Sequence, residues 1–156
     1  MKLLCDQMLG SLAKWLRILG FDTFYANAEI TDEKLLEIAK NENRNIISRD
    51  KVLIQNGKKH GLKVIEINST DLDEQLNKVF ENVDIDMDRI LSRCTICNTI
   101  LKYIEKNKVN GKVPKKVFEN NDRFWFCPKC KKYYWTGSHY DKISEKINEI
   151  TKRMEK

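Results

Sequence analysis

Along the first eighty residues, short apolar runs alternate with segments whose apolar positions recur every three or four residues. Lys2–Cys5 is a compact apolar run that stops at Asp6 and reads as a first strand. Leu9, Leu12, Leu16 and Leu19 fall at helical spacing, and Gly20 stands where a left-handed residue ends such a helix. Residues 21–26 are rich in aromatics and predict a second strand. Thr31 or Asp32 then caps a helix whose Leu35, Leu36 and Ala39 face inward. Residues 45–48 predict a third, buried strand, followed directly by Arg49 and Asp50. A short polar helix precedes Gly61, residues 62–67 form a fourth strand, and Ser69 or Thr70 opens a helix with Leu72, Leu76, Val79 and Phe80 on its apolar side. Strands alternating with helices specify an α/β fold with parallel pairing and right-handed crossovers.

The pattern changes after the acidic stretch around Asp84, Asp86 and Asp88. Cysteines, aromatics and lysines take over, with hairpin-like strands at 123–126 and 133–135 and a hairpin and loop within 102–121. Ile143, Ile147 and Ile150 mark a terminal helix with one narrow apolar side. The expected division is therefore residues 1–83 as an α/β domain and 89–156 as a small second domain.

That second domain holds two C-x-x-C turns, Cys94-Thr95-Ile96-Cys97 and Cys127-Pro128-Lys129-Cys130. Each such turn delivers two thiolates from one tight knuckle, and four of them suit a structural zinc ion. A unit with so few core residues needs a staple of this kind. A redox dithiol or an iron–sulfur cluster are the other chemistries open to paired C-x-x-C turns. Cys5, inside the first strand, is expected to be a small buried apolar residue. Loss of Cys94 or Cys127 is expected to unfold the second domain and leave the first standing.

Composition narrows the class. At 41% hydrophobic and 33% charged, the 156-residue chain has the profile of a globular protein, and no apolar stretch is long enough to cross a bilayer. With no secretory signal pattern, a cytoplasmic location and free or metal-bound thiols are expected. The net charge of +6 is uneven: residues 1–80 balance at zero, whereas 89–156 hold 17 basic and 7 acidic residues. A neutral core with a basic appendage fits a polyanion partner such as RNA, although a lysine-rich solvated face has the same composition. Four thiolates around one zinc are net negative, so the attraction falls to Lys115, Lys116, Arg123, Lys129, Lys131 and Lys132. Trp125, Tyr133, Tyr134 and Trp135 interleave with them, some to fill the small core and some to stack on bases.

Three carboxylates carry the candidate chemistry. Asp6 follows the first strand, Asp32 opens a helix and Asp50 follows the third strand. In a parallel sheet, strand C-termini and helix N-termini share one edge, so these three converge there. Grouped carboxylates bind hard cations such as Mg²⁺ or Mn²⁺. Asp32 and Asp50 also suit helix caps, whereas Asp6 has no evident structural duty.

The order of these pieces resembles a known family. Asp6-Gln7-Met8-Leu9-Gly10, Leu12-Ala13-Lys14-Trp15-Leu16-Arg17, Gly20-Phe21-Asp22, Asp32 with Leu35, Leu36 and Ala39, and Ile46-Ile47-Ser48-Arg49-Asp50 are similar to the PIN-like RNase domain at the C-terminus of Mut-seven exonucleases. Ser92-Arg93-Cys94, Cys97-Asn98, Val113-Pro114, Cys127, Cys130 and Tyr134-Trp135 with Gly137-Ser138-His139 extend the resemblance over nearly the whole chain. It implies a PIN-like sheet fused to a zinc ribbon, and a ribonuclease using Mg²⁺ or Mn²⁺ held by Asp6, Asp32 and Asp50. Arg17 and Lys14 are then expected to meet substrate phosphates, with Lys129, Lys131 and Lys132 gripping RNA from the ribbon. Ser138 and His139 are expected near that junction. The rival reading is a non-catalytic RNA-binding or ribosome-associated module, and a third is a toxin-like nuclease controlled by a partner. No dedicated protein partner is evident.

Overall fold

A computed structural model describes residues 1–27, 29–135 and 137–154, with the side chains of 137–140 and 153–154 outside the description. Ser138 and His139 therefore lie outside the described side chains. Among the described residues, four parallel strands form the first sheet: β1 (Lys2–Cys5), β2 (Asp22–Tyr25), β3 (Arg44–Ser48) and β4 (Val64–Glu66), in the order β2-β1-β3-β4. The two central strands carry unbroken apolar runs because helices cover both faces. Leu3, Cys5, Ile47 and Ile65 point to one side, Leu4 and Ile46 to the other. Cys5 is fully buried, and burial raises its thiol beyond the usual range.

Helices α1 (Gly10–Ile18) and α4 (Leu72–Phe80) lie on the first face, α2 (Asp32–Glu42) and α3 (Lys51–Lys59) on the second. Thr31 caps α2 by accepting from the Lys34 N–H, which leaves Asp32 in the first turn with its carboxylate uncommitted to the cap. The polar helix expected before Gly61 is amphipathic: Leu53 and Ile54 are buried, and Gly57 lets Val64 and Ile46 pack against its backbone. The fourth strand is only three residues long, shorter than the apolar run 62–67. Asp71 caps α4, and Ser69 instead accepts from the Asp71 N–H.

The ribbon is a three-stranded antiparallel sheet of β5 (Lys102–Ile104), β6 (Phe124–Cys127) and β7 (Lys132–Trp135), in that order. The segment expected to form a hairpin and loop supplies one strand, β5, which pairs with β6, and the short helix α5 (Lys115–Asn120), whose Phe118 stacks on the buried Phe124 at 6.5 Å. Helix α6 (Gly137–Met154) does not stay with the ribbon. Ile143, Ile147 and Ile150 enter the same core as Leu12, Leu16, Leu76 and Val79. Lys146 ties α6 down, pairing with Asp73 at 2.6 Å and lying over the Trp15 ring at 5.2 Å. By its contacts α6 belongs to the first half of the chain, and the ribbon is a segment inserted before it. Among the described residues, no helix is long and apolar enough to cross a membrane.

Candidate active site and metal centre

The four cysteines converge. Their Sγ atoms all lie within 4.8 Å of one another, the one such group of His, Cys, Asp or Glu ligand atoms among the described residues. The two knuckles are built alike: the Asn98 N–H donates to Cys94 C=O at 2.9 Å, and the Lys131 N–H donates to Cys127 C=O at 2.7 Å. Asn98 and Lys131 both take left-handed φ, 72° and 56°, which turns each chain sharply after its second cysteine. Sulfur pairs from opposite knuckles stand 3.9 Å (Cys94–Cys130) and 3.5 Å (Cys97–Cys127) apart. A tetrahedron with metal–sulfur bonds of about 2.3 Å has edges of about 3.8 Å, so the set fits a metal such as zinc. Burial would raise the Cys97 thiol, but hydrogen bonds with Thr99 and the neighbouring thiols outweigh it and bring it to about 6. Tyr134 stands with its hydroxyl 3.0 Å from Cys94 Sγ.

The carboxylates share one cleft. Asp6, Asp32 and Asp50 line a hollow of about 40 Å³ together with Gln7, Met8, Ala26, Asn27, Ile30 and Leu35. That volume takes roughly three water-sized groups, room for a partly hydrated ion. Asp6 is 4% exposed and has a structural duty after all. Its Oδ1 accepts the Met8 N–H at 3.0 Å, and its Oδ2 accepts the Ser48 hydroxyl. Ser48 Oγ in turn accepts the Asp50 N–H at 2.9 Å, and Asp50 Oδ1 accepts the Val52 N–H at 2.9 Å. Asp6 and Asp50 are thus locked to each other through buried Ser48. Asp32 lacks such support. Its carboxyl is raised above the usual range, first by burial and then by the charges of Asp50 and Asp6. The oxygens are not closed into a cage, so a cation there would complete its shell with water, as Mg²⁺ commonly does.

The chain belongs to the Mut7-C RNAse domain family. The family model matches residues 1–147, spanning the sheet, the ribbon and most of α6. Comparison with curated proteins and with solved structures yields no match.

Other expected residues of this Mut7-C domain stand elsewhere. Arg17 is 9% exposed and does not reach toward the cleft. Its Nε donates to Thr23 C=O at 2.9 Å, and its Nη1 donates to Thr95 C=O and Ile96 C=O at 3.1 and 3.0 Å. The expected phosphate contact gives way to a clamp between α1, the edge strand β2 and the first knuckle. Burial lowers its pKa, and nearby Cys5, Cys97 and Cys94 act in the opposite sense. Asn98 completes the clamp: its Oδ1 accepts the Thr23 N–H at 3.0 Å and its Nδ2 donates to Asp22 Oδ1 at 2.7 Å. Asp22, held also by Arg44 at 2.9 Å, is lowered by these partners despite partial burial.

Lys14, Lys129, Lys131 and Lys132 are exposed, with Lys132 Nζ over the Tyr134 ring at 5.7 Å. Trp125, Tyr133, Tyr134 and Trp135 are half-buried, whereas Tyr103 is 62% exposed and meets Trp125 edge-on at 6.4 Å. Tyr103, Trp125 and Tyr134 are register partners across β5, β6 and β7, one aromatic row on one face of the ribbon. Tyr103 does not stand out in the sequence because nothing there fixes the register of a hairpin within 102–121, and Ser48 does not because a hydroxyl at a strand end has no periodic signature.

Proposed function

We propose that this Mut7-C domain is a metal-dependent ribonuclease that hydrolyses phosphodiester bonds of single-stranded RNA. The observation that carries the reading is the convergence of Asp6, Asp32 and Asp50 on one hollow at the C-terminal edge of a parallel sheet, in a chain of an RNase family. These residues would hold Mg²⁺ or Mn²⁺. When bound, such a cation supplies an activated water and offsets charge on the scissile phosphate. The Asp6 carboxylate is held by the Ser48 hydroxyl and the Met8 N–H, and the Asp50 carboxylate by the Val52 N–H, so both are oriented before a cation binds. Asp32, crowded by two like charges, gains most from a cation.

Cys94, Cys97, Cys127 and Cys130 would hold structural Zn²⁺. The exposed lysines and Tyr103 would grip RNA by phosphate contact and stacking, while Trp125 and Tyr134 pack on the cysteine core. The knuckle docks at Asp22 and Thr23, and the cleft opens beyond Tyr25 at the other end of β2. A strand of that length spans about 10 Å, so RNA held by both would run along this edge for one or two nucleotides.

The second reading, an RNA-binding module without catalysis, draws on the capping roles of Asp6 and Asp50. Labelled single-stranded RNA incubated with Mn²⁺ separates the two. The ribonuclease reading expects cleavage by the wild type, none with EDTA, and none by the Asp6→Asn/Asp50→Asn variant while it still binds. Equal survival of the RNA with wild type and variant overturns it.

A further inference from the structure

Of the eight large apolar side chains exposed among the described residues, Met8 lines the carboxylate hollow, and Val52 and Tyr25 stand one hydrogen bond from residues that line it. Met8 is 57% exposed, Val52 60% and Tyr25 36%. Each is tied to the cleft by a hydrogen bond of its own backbone or hydroxyl. The Met8 N–H donates to Asp6 Oδ1, and the Val52 N–H donates to Asp50 Oδ1. The two carboxylates therefore use the same device: each accepts from the residue two positions on, and that residue is a solvent-exposed apolar one. The Tyr25 hydroxyl donates to the Gln7 C=O at 2.8 Å, and its ring lies against Gly10, where a Cβ would come within 3.0 Å of the hydroxyl. Met8 and Gln7 themselves line the hollow.

A hydrated ion by itself makes no use of these side chains, which form an apolar rim beside the acids. The rim has a use if the ligand carries apolar faces on either side of a charged centre. RNA does: its phosphates bind at the ion, and its bases project away to both sides. Base faces are available only when unpaired, because in a duplex they are stacked within the helix. Resting on the ribonuclease reading, we infer that Met8 and Val52, with Tyr25 beside them, hold the two nucleobases flanking the scissile phosphate and so select single-stranded RNA. The chain Met8 N–H, Asp6, Ser48, Asp50, Val52 N–H fixes both contacts relative to the carboxylates, so the same bonds that orient the acids set the spacing of the bases.

The test uses a Met8→Gln/Val52→Thr variant, which keeps side-chain size and removes apolar character at exposed positions. Cleavage of a single-stranded RNA is followed with Mn²⁺, alongside the same RNA with 1′-deoxyribitol abasic residues on both sides of the mapped cleavage position. The wild type is expected to show a KM about tenfold lower on the intact RNA than on the abasic one. The variant is expected to treat both alike, at the abasic KM, with kcat within about twofold. Equal KM for wild type and variant on intact RNA, or no penalty for the abasic RNA with the wild type, overturns the inference while leaving the ribonuclease reading in place. No cleavage of either RNA by the wild type brings down that reading, and the inference with it.

Discussion

Asn98 Oδ1 accepts the Thr23 N–H at 3.0 Å, so a residue of the first cysteine knuckle occupies a pairing position on the open edge of the parallel sheet. Arg17 Nε fills the matching position at Thr23 C=O. An uncovered edge strand is a liability, and here the knuckle covers it. Asn98 takes its left-handed φ at the turn that closes that knuckle. A metal held by the cysteines would therefore bear on the α/β half as well as on the ribbon. Stripping the metal with a strong chelator is expected to lower the melting temperature of the whole chain in one transition. It should also speed hydrogen exchange at the Thr23 amide at least about tenfold, the equivalent of one lost hydrogen bond of about 1.4 kcal/mol. Two separate transitions with unchanged Thr23 exchange would show an independent ribbon.

Arg17 is expected to act on stability and not on RNA charge. Arg17→Ala leaves the buried Thr23 C=O and the part-buried Thr95 and Ile96 C=O without this donor, a loss of about 2 kcal/mol by chemical denaturation. Arg17→Lys should rescue little, because a single ammonium does not reproduce the guanidinium fork. The salt dependence of RNA binding by Arg17→Lys should match the wild type. A slope reduced by about one unit would return Arg17 to the phosphate.

The parallel sheet and both knuckles were legible in the sequence because each rests on a local signal. β1 and β3 are continuous apolar runs, and C-x-x-C places two thiols on one turn. Asp6 and Asp50 were legible as acids following strands, since a parallel fold dictates which ends meet. Arg17 was not, because its partners Thr95 and Ile96 lie 78 and 79 positions away and are backbone atoms with no side-chain signature. The docking of α6 was hidden for a similar reason: three isoleucines at helical spacing announce a buried stripe but not which core receives it.

Ser48→Ala separates positioning from folding. The substitution removes one oxygen at a fully buried site and leaves the apolar packing of β3 intact. Asp6 and Asp50 lose their shared partner, and Mn²⁺-dependent cleavage is expected to fall about 10- to 100-fold, with weaker Mn²⁺ binding by titration. Wild-type metal affinity in this variant would show that Ser48 does not orient the carboxylates.

Asp32 sets a pH dependence. Its carboxyl is raised in the folded chain, so the fold favours its protonated form. That contribution is fully present below the unfolded value near 3.8 and is lost as pH rises through the folded value. In metal-free buffer at pH 7, Asp32→Asn is expected to be more stable than the wild type by about 0.5 kcal/mol, roughly 1–2 °C in melting temperature. Millimolar Mn²⁺ should reverse the order, because the wild type gains the stronger ligand set. A variant less stable at pH 7 without metal would contradict the crowding of the three acids.

The central claim is that the carboxylate cleft acts on the scissile phosphate through a divalent cation. The direct test replaces a non-bridging oxygen of that phosphate with sulfur, as separated diastereomers, and compares cleavage in Mg²⁺ and Mn²⁺. Softer Mn²⁺ accepts sulfur better than Mg²⁺. One diastereomer is expected to be cleaved at least about tenfold more slowly than the oxygen substrate in Mg²⁺, with most of the loss restored by Mn²⁺. Equal sulfur effects in both metals for both diastereomers would contradict that claim.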